Sequence, residues 1–226
     1  MSEARQPLAP GLALIFDMDG VIVDSNPAHR ESWTAFNLRY GLETTDEMFH
    51  RMYGKRNDEI IRDYFGADLS EEEVAARGRA KEALYREMIA DRVEDMLVPG
   101  LRAFLDRYRH LPMALASNAE PENVQFLLDR AGLRPYFQAV VDGHQVRNPK
   151  PHPDVYLLAA RLLHVSPQRC VVFEDSPSGT AAGAAAGMTV IGILTTYVNL
   201  PQVVFTVDNF KSGKLDSWLQ AQMRQA

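Results

Sequence analysis

The sequence predicts an α/β protein: a doubly wound parallel sheet with a helical domain inserted after the first strand. Over most of the chain, short apolar runs that end in polar residues alternate with helical segments, which is typical of a parallel sheet covered by helices on both faces. Between residues 27 and 96 this alternation stops, and only helical periodicity remains. With 226 residues and 46% hydrophobic composition, the chain is long enough for a sheet domain and an insert.

Five continuous apolar segments are the predicted strands, at residues 12–16, 113–117, 139–142, 170–175 and 189–194. Helices are predicted between successive strands, most of them beginning near a proline and several ending at a glycine, at residues 101–108, 122–131, 154–163 and 178–186. This regular order of strand and helix predicts a Rossmann-like sheet.

The insert is predicted to be helical because its apolar residues recur at helical spacing, as at Trp33 and Phe36 and again at Ile60, Ile61 and Tyr64. Turn-forming residues stand at its entry, residues 25–27, and at its exit, residues 98–100. We therefore predict two domains: an α/β core of residues 1–26 and 97–226, and a helical domain of residues 27–96.

Composition argues against several kinds of partner. A net charge of −6 and a pI near 5.5 argue against a nucleic-acid-binding surface, which is normally basic. No stretch approaches 18 uncharged apolar residues, and residues 1–10 lack the apolar core of a signal peptide, so we expect no membrane partner and a cytoplasmic location. The single cysteine, Cys170, is interpreted as a buried thiol. As to oligomeric state, we expect a monomer or a weak dimer.

Acidic residues follow two of the predicted strands. Asp17 and Asp19 follow the first strand, and Glu174 and Asp175 close the fourth. The carboxyl ends of parallel strands meet at one edge of the sheet, where ligands bind, so these acids should lie together. One carboxylate of such a pair can attack phosphorus while the other transfers protons. Carboxylate oxygens without a cysteine or histidine cluster favour Mg²⁺ over Zn²⁺.

Candidate phosphate ligands follow the second and third strands. Ser117 and Asn118 lie at the end of the second strand and just before a helix, where hydroxyl and amide groups can hold phosphate oxygens. Lys150 stands in a loop with three prolines, residues 148–153, which restrict the backbone on either side of it. A lysine held in this way offers a fixed positive charge to a phosphoryl group.

Together these elements resemble the four motifs of the haloacid dehalogenase superfamily, in the family's order: Asp17-Met18-Asp19-Gly20-Val21, then Ser117, then Lys150, then Glu174-Asp175. The helical insert after the first motif is similar in position to the family's small helical cap, and the resemblance covers residues 12–222. Within the superfamily, the chain resembles the branch of β-phosphoglucomutase and sugar-phosphate phosphatases, because dehalogenases lack the second acid, Asp19.

The resemblance implies a phosphoryl-transfer cycle with Asp17 as the nucleophile and Asp19 as the general acid and base. It implies a Mg²⁺ ion held by the Asp17 carboxylate, the backbone carbonyl of Asp19 and Asp175, with Glu174 binding the ion directly or through water. The transferring phosphoryl group would be bound by Ser117, the backbone amide of Asn118 and Lys150. Substrate contacts from the cap would come from His29, Gly54, Lys55, Arg56 and Lys81.

The implied function is hydrolysis of a small phosphorylated metabolite, a sugar phosphate, with a β-phosphoglucomutase-like isomerase as the alternative. Glu120 stands near the position where the mutase has a lysine for the distal phosphate, and Asn57 stands where the mutase has a cap arginine. Both differences favour the phosphatase. Phosphonate-cleaving relatives lack an acid where this chain has Asp19, and a binding protein without activity would not require all four motifs.

Overall fold

The computed structural model describes residues 11–52 and 55–225, apart from the side chains of His50 and Gln225. These residues belong to two compact units. The first contains the chain up to Asp24 and again from Glu94 onward, and the second is Ser25–Val93. We refer to them as the α/β unit and the helical unit.

The α/β unit is built on a sheet of six parallel strands in the order β3-β2-β1-β4-β5-β6. The strands are β1 (Ala13–Phe16), β2 (Met113–Ala116), β3 (Ala139–Val141), β4 (Cys170–Glu174), β5 (Thr189–Ile193) and β6 (Phe205–Val207). This is the strand order of a Rossmann-like fold, so the predicted fold class is confirmed. The strand β1 lies at the centre, between β2 and β4, where the order reverses.

The described helices are, in chain order, α1 (Asn26–Leu38), α2 (Asp46–Met52), α3 (Asn57–Phe65), α4 (Glu71–Ile89), α5 (Leu101–Tyr108), α6 (Pro121–Arg130), α7 (Asp154–Leu162), α8 (Pro177–Ala185) and α9 (Gly213–Gln225). The four helices predicted between strands agree with α5 to α8 within one residue at each end. Proline occupies the first turn of α6 and α8, where its missing N–H removes no helical hydrogen bond.

Among the strands and helices described in the α/β unit, the sequence analysis did not predict β6 and α9. The strand β6 has three residues, two of them only half-buried, so it lacks the long apolar run that identifies the other strands. The helix α9 does carry a signal, since Leu215 and Leu219 are fully buried one turn apart. Phe205 of β6 packs against Trp218 of α9, with ring centroids 5.7 Å apart.

Side chains of β1 alternate between the two faces of the sheet. Phe16 stacks on Phe173 of β4 at a centroid distance of 4.8 Å and contacts Phe104 of α5 on the same face. Ile15 belongs to the cluster on the other face, which includes residues of α7 and α8. The helix α8 packs closely there, because a Cβ added to Gly183 would lie only 2.7 Å from the side chain of Val190.

The helical unit has a hydrophobic core of its own, centred on Trp33, Phe36 and Ile61. Its longest helix, α4, begins with a capping box: the Ser70 hydroxyl accepts a hydrogen bond from the Glu73 amide, and the Glu73 carboxylate accepts one from the Ser70 amide. Among the residues described, no helix combines the length and the apolar character needed to cross a membrane.

Candidate active site

The register of β1 and β4 places acids of the two motifs side by side. Phe16 pairs with Phe173, so Asp17 and Glu174 follow at the same edge of the sheet. The Asp17 amide donates to the Phe173 carbonyl at 3.1 Å, which extends the ladder by one residue and fixes the backbone at Asp17. Both side chains are buried. The local cause is the parallel pairing itself, which aligns the carboxyl ends of neighbouring strands.

Lys150 connects these acids through a set of three contacts. Its Nζ lies 2.6 Å from Asp17 Oδ1, 2.8 Å from Glu174 Oε1 and 3.1 Å from the carbonyl oxygen of Ala116. An ammonium group has three hydrogens, so these three acceptors account for all of them. The Lys150 backbone amide donates to Asn118 Oδ1 at 3.1 Å, which ties its loop to the end of β2.

The carboxylate of Glu174 is fully occupied by hydrogen bonds. Its Oε1 accepts from Lys150 Nζ and from the hydroxyl of Tyr156, and its Oε2 accepts from the amides of Asp175 and Ser176 and from the Ser176 hydroxyl. A carboxylate offers about four lone-pair sites, so five donors saturate it. The backbone also closes around it, because a Cβ on Gly179 would lie 1.7 Å from Oε1.

Asp175 is held from the opposite side by the turn after β1 and the loop after β5. Its Oδ2 accepts a hydrogen bond from the Thr196 hydroxyl, and a Cβ added to Gly20 would lie 1.8 Å from the same oxygen. Gly20 has φ +77°, a left-handed conformation that favours glycine. Glycine is therefore required at this position both by its backbone and by the approach of Asp175.

Burial and the crowding of acids change the proton affinities in this cluster. Burial raises the pKa of Asp17 to about 7; Glu174 and Asp19 add to this rise, and Lys150 opposes it. Burial, with the charges of Glu174 and Asp17, also raises the pKa of Asp175 well above its usual range. Burial alone would lower the pKa of Lys150, but Asp17 and Glu174 outweigh it and hold that pKa above its ordinary value. The lysine thus stays charged while two acids bind protons more readily.

These residues fit a Mg²⁺ ion. Oxygens of Asp17, Glu174 and Asp175 lie within 4.8 Å of one another. Asp17 and Asp175 are the two whose charge is poorly compensated, as their raised pKa values indicate, whereas Glu174 is saturated by its five donors. A hard divalent cation with carboxylate ligands would relieve this excess of negative charge.

The raised pKa of Asp17 gives a first prediction, for the metal-free protein. Between about pH 4 and pH 7, folded Asp17 holds a proton that the unfolded chain has released, so this residue contributes less stability as the pH rises. We expect the stability advantage of Asp17→Asn over the wild type to grow with pH across this window, by up to about 1.4 kcal/mol per pH unit. Urea unfolding in a chelating buffer measures this difference. A difference independent of pH would contradict the raised pKa.

The other predicted residues of the α/β unit lie around the cluster. Asp19 is half-buried in the turn after β1, close enough for its charge to raise the pKa of Asp17 and of Asp175. Ser117 is buried at the end of β2, and its hydroxyl accepts a hydrogen bond from the Ala119 amide at 3.0 Å. The structure thus brings together the strand-end acids and Lys150, with Ser117 and Asn118 on the neighbouring strand end.

The predicted substrate contacts lie in the helical unit. Lys81 is buried; its Nζ donates to His29 Nδ1 at 2.8 Å and to Glu82 Oε1 at 2.8 Å. Because an ammonium can only donate, the His29 ring accepts at Nδ1. Lys55 and Arg56 are exposed and lie 4.0 Å and 3.5 Å from Asp63 and Asp58, respectively. The remaining prediction, Gly54, falls outside the described residues.

Sequence reasoning missed three side chains of the site: Tyr156, Thr196 and Ser176, which directly follows Asp175. Thr196 follows the end of β5 closely, so the rule that drew attention to the other strand ends would have included it. Tyr156 carried no such signal. It lies on the apolar face of α7, where an aromatic residue is normally interpreted as core, and its hydrogen bond to Glu174 becomes visible only in three dimensions.

Comparison with known proteins identifies the family of this chain. A model of the family described as haloacid dehalogenase-like hydrolase matches residues 12–187. The chain belongs to the haloacid dehalogenase-like hydrolase family. The resemblance that the four motifs indicated is thereby confirmed, and the match includes the insert as well as the strands that carry the acids.

Relatives of this haloacid dehalogenase-like hydrolase include phosphatases and phosphomutases. The chain is 36% identical over 181 residues to the fructose-1-phosphate phosphatase YqaB of Escherichia coli, and the aligned residues cover 80% of this chain and 95% of YqaB. It is 33% identical over 182 residues to a phosphorylated carbohydrates phosphatase of Thermotoga maritima, covering 78% and 82%. Its fold matches a crystal structure of β-phosphoglucomutase from Clostridium difficile with a TM-score of 0.82 at 26% identity, covering 95% and 98%. The chain is therefore an enzyme of this hydrolase family, and its relatives include both sugar-phosphate phosphatases and β-phosphoglucomutases.

Proposed function

We propose that this hydrolase is a Mg²⁺-dependent phosphatase that acts on a small phosphorylated metabolite, a sugar phosphate, through an aspartyl-phosphate at Asp17. The observation that carries the proposal is the contact of buried Lys150 with both Asp17 and Glu174, at 2.6 Å and 2.8 Å. A carboxylate at a strand end beside a fixed cation is suited to attack phosphorus. The substrate class is supported by the names of the two phosphatase relatives.

In the proposed reaction, a carboxylate oxygen of Asp17 forms a bond to phosphorus while the bond from phosphorus to the sugar oxygen breaks. Asp19, as a carboxylic acid, gives its proton to the departing oxygen. The resulting Asp19 carboxylate then takes a proton from a water molecule, which attacks phosphorus and releases inorganic phosphate from Asp17. Two acids at one strand end thus divide nucleophilic attack and proton transfer between them.

Ser117, Asn118 and Lys150 are proposed to bind the transferring phosphoryl group. The three hydrogens of Lys150 already have acceptors, so binding a phosphoryl oxygen requires one of these bonds to be shared or exchanged. The bond to Asp17 is the natural one to change. Once Asp17 carries the phosphoryl group it loses its own negative charge, and the new charge on the phosphoryl oxygens attracts the ammonium instead.

The carboxylates of Asp17 and Asp175 and the backbone carbonyl of Asp19 are the groups proposed to hold Mg²⁺. When bound, the ion would neutralise charge that develops on the phosphoryl oxygens. Glu174 was predicted as a further ligand, directly or through water. Because five hydrogen bonds occupy its two oxygens, we propose instead that it anchors Lys150 and the backbone of residues 175 and 176.

The helical unit is proposed to act as the cap and to select the substrate. Buried Lys81 donates a hydrogen bond to half-buried His29 in this unit, and Lys55 and Arg56 provide exposed positive charge. The hydrogen bonds of Lys81 restrict its side chain, whereas the exposed cations can adapt to a ligand. These roles, like that of Gly54, rest on the resemblance to the family.

A β-phosphoglucomutase-like isomerase is the second candidate, favoured by the structural match to β-phosphoglucomutase at a TM-score of 0.82. A mutase must hold a bisphosphate in two orientations. In this chain, Glu120 directly precedes α6, and its carboxylate lies 3.0 Å from the His144 ring. The negative charge of Glu120 would repel a second phosphate unless a protonated His144 neutralised it. Conversion of β-glucose 1-phosphate to glucose 6-phosphate, in a coupled assay with a bisphosphate primer, would support the mutase.

The experiment that tests the phosphatase is an assay of phosphate release from a panel of hexose, pentose and hexitol phosphates, each with Mg²⁺ and with a chelator. We expect release from at least one sugar phosphate, and we expect the chelator to stop it. Release without a divalent metal would contradict the metal proposal. No release from the whole panel, with mutase activity present, would favour the second candidate.

Gly20 provides a prediction about the geometry of the site. Gly20→Ala should lower kcat/KM for phosphate release by about a hundredfold or more, because the new Cβ displaces Asp175, and displacements near 1 Å have effects of that size. The matched control is Gly132→Ala. Gly132 has a similar φ of +62° but nothing within 4 Å of its added Cβ, so it shares the backbone strain without the collision. Equal activities of the two variants would contradict a role for the Gly20 contact.

A further inference from the structure

Tyr156 contacts the catalytic cluster although it belongs to none of the four motifs. It lies on α7 with its side chain fully buried. Its hydroxyl donates to Glu174 Oε1 at 2.7 Å, the same oxygen that accepts from Lys150 at 2.8 Å. Lys150 Nζ also lies 4.7 Å from the centre of the Tyr156 ring, within the range of a cation–π contact. One side chain therefore touches both the lysine and the acid that holds it.

The three hydrogen-bond acceptors of the Lys150 ammonium have different fates during the proposed reaction. The carboxylate of Asp17 becomes an acyl phosphate in the covalent intermediate and ceases to be a carboxylate anion. Glu174 and the Ala116 carbonyl take no part in bond making, so they are the contacts that persist. Glu174 is the charged one of the two. The position of Lys150 in the phosphorylated half of the cycle thus depends on how firmly Glu174 Oε1 is held.

The two oxygens of Glu174 are held by different parts of the chain. Backbone amides and the Ser176 hydroxyl fix Oε2. Apart from Lys150 itself, Tyr156 is the group that donates to Oε1 among the described residues. Without the hydroxyl, Oε1 would keep Lys150 as its hydrogen-bond donor among these residues, so the end of the carboxylate that holds the ammonium would be less firmly placed even with Oε2 fixed. The aromatic ring limits motion of the ammonium by covering one side of it.

We propose that Tyr156 is a positioning residue for the proposed phosphoryl transfer: its hydroxyl and ring together keep Lys150 in place on Glu174 while Asp17 is phosphorylated. The inference rests on the proposed function. It differs from the roles of the motif residues because Tyr156 acts through Lys150 and does not contact the reacting atoms.

A graded series of variants tests the inference through kinetics. Tyr156→Phe keeps the ring and loses the hydroxyl, and we expect kcat to fall about threefold to tenfold with KM changed less than about twofold. Tyr156→Leu loses both, and we expect a fall of about thirtyfold to a hundredfold. A kcat of Tyr156→Phe well above that of Tyr156→Leu is the signature of positioning by the ring. If both variants fold and keep the wild-type kcat, the inference is overturned.

Tyr108 supplies the matched control. It is also a buried tyrosine on a helix of the α/β unit, and its hydroxyl donates to a carboxylate, Asp216 Oδ1, at 2.9 Å. Tyr108→Phe and Tyr108→Leu should disturb the fold to a similar degree and leave kcat near the wild-type value. Equal falls of kcat in the two series would attribute the effect to general loss of stability and overturn the inference.

A second measurement does not depend on activity. Amine acetylation followed by peptide mass spectrometry gives the reactivity of Lys150 relative to Lys214, which is exposed on α9. We expect Lys150 to be protected in the wild type and to become at least about tenfold more reactive in Tyr156→Leu. Unchanged reactivity overturns the inference.

If the wild type releases no phosphate, the proposed function fails, and the labelling alone decides whether Tyr156 holds Lys150. If Tyr156→Leu does not fold, Tyr156→Phe carries both measurements.

Discussion

Asp17→Asn should abolish phosphate release, with kcat reduced by at least about a thousandfold. An amide oxygen is a poor nucleophile, so the covalent step is lost even though the side chain keeps its shape and can still accept a hydrogen bond from Lys150. Stability should not fall in parallel. In the absence of metal the buried carboxylate, with its pKa raised to about 7, is itself unfavourable, and the neutral amide removes that penalty.

The measurement is phosphate release by wild type and variant, accompanied by a thermal unfolding curve for each. Asp216→Asn is a suitable control, because Asp216 is a hydrogen-bonded aspartate of α9 that contacts Tyr108 and Arg107 and not the cluster. It should retain nearly full activity. Residual activity of Asp17→Asn within about tenfold of the wild type would exclude Asp17 as the nucleophile.

Lys150→Met has the second large expected effect, and it acts on both catalysis and stability. The substitution leaves Asp17 and Glu174 buried without their common cation. The pKa of Asp17, which Lys150 lowers, should then rise from about 7 to a higher value, so less of the nucleophilic carboxylate is present at neutral pH. We expect kcat/KM to fall by at least about a thousandfold.

The loss of stability in Lys150→Met should depend on pH. Removing one partner of a buried ion pair destabilises proteins by roughly 3–5 kcal/mol when the remaining charge cannot be neutralised. Here the acids can take up protons, so we expect the loss of unfolding free energy to be large at pH 8 and smaller at pH 6. Lys214→Met, on the surface of α9, is the control, and it should show neither effect. A Lys150→Met protein with normal activity and a loss independent of pH would contradict the cluster as described.

Much of the site follows from the sequence because one rule of topology connects the strand ends. Asp17 and Glu174 lie more than 150 residues apart, yet each closes an apolar run, and parallel pairing of those runs places them at one edge. Lys150 belongs to no strand. Its prolines predicted a rigid loop, while the resemblance to a known family supplied its role.

Other features could not be predicted from the sequence because they depend on how side chains share space. Glu174 has the residue type of a metal ligand, and the five donors around its oxygens, which favour the proposed role as an anchor, are visible only in the structure. Tyr156 is indistinguishable from a core residue until its distance to Glu174 is known. The strand β6 is too short to be recognised by pattern alone, since its pairing with β5 defines it.

The most direct test of the central claim is chemical trapping of the phosphorylated aspartate. The enzyme is mixed with Mg²⁺ and a saturating sugar phosphate that it hydrolyses, quenched with borohydride, and digested for peptide mass spectrometry. Borohydride reduces an acyl phosphate to an alcohol, so phosphorylated Asp17 would be converted to homoserine. We expect this conversion at Asp17 and not at Asp19 or Asp175, and only when substrate is present. Phosphate release at a normal rate with Asp17 unmodified would show that water attacks the substrate directly and would contradict covalent catalysis.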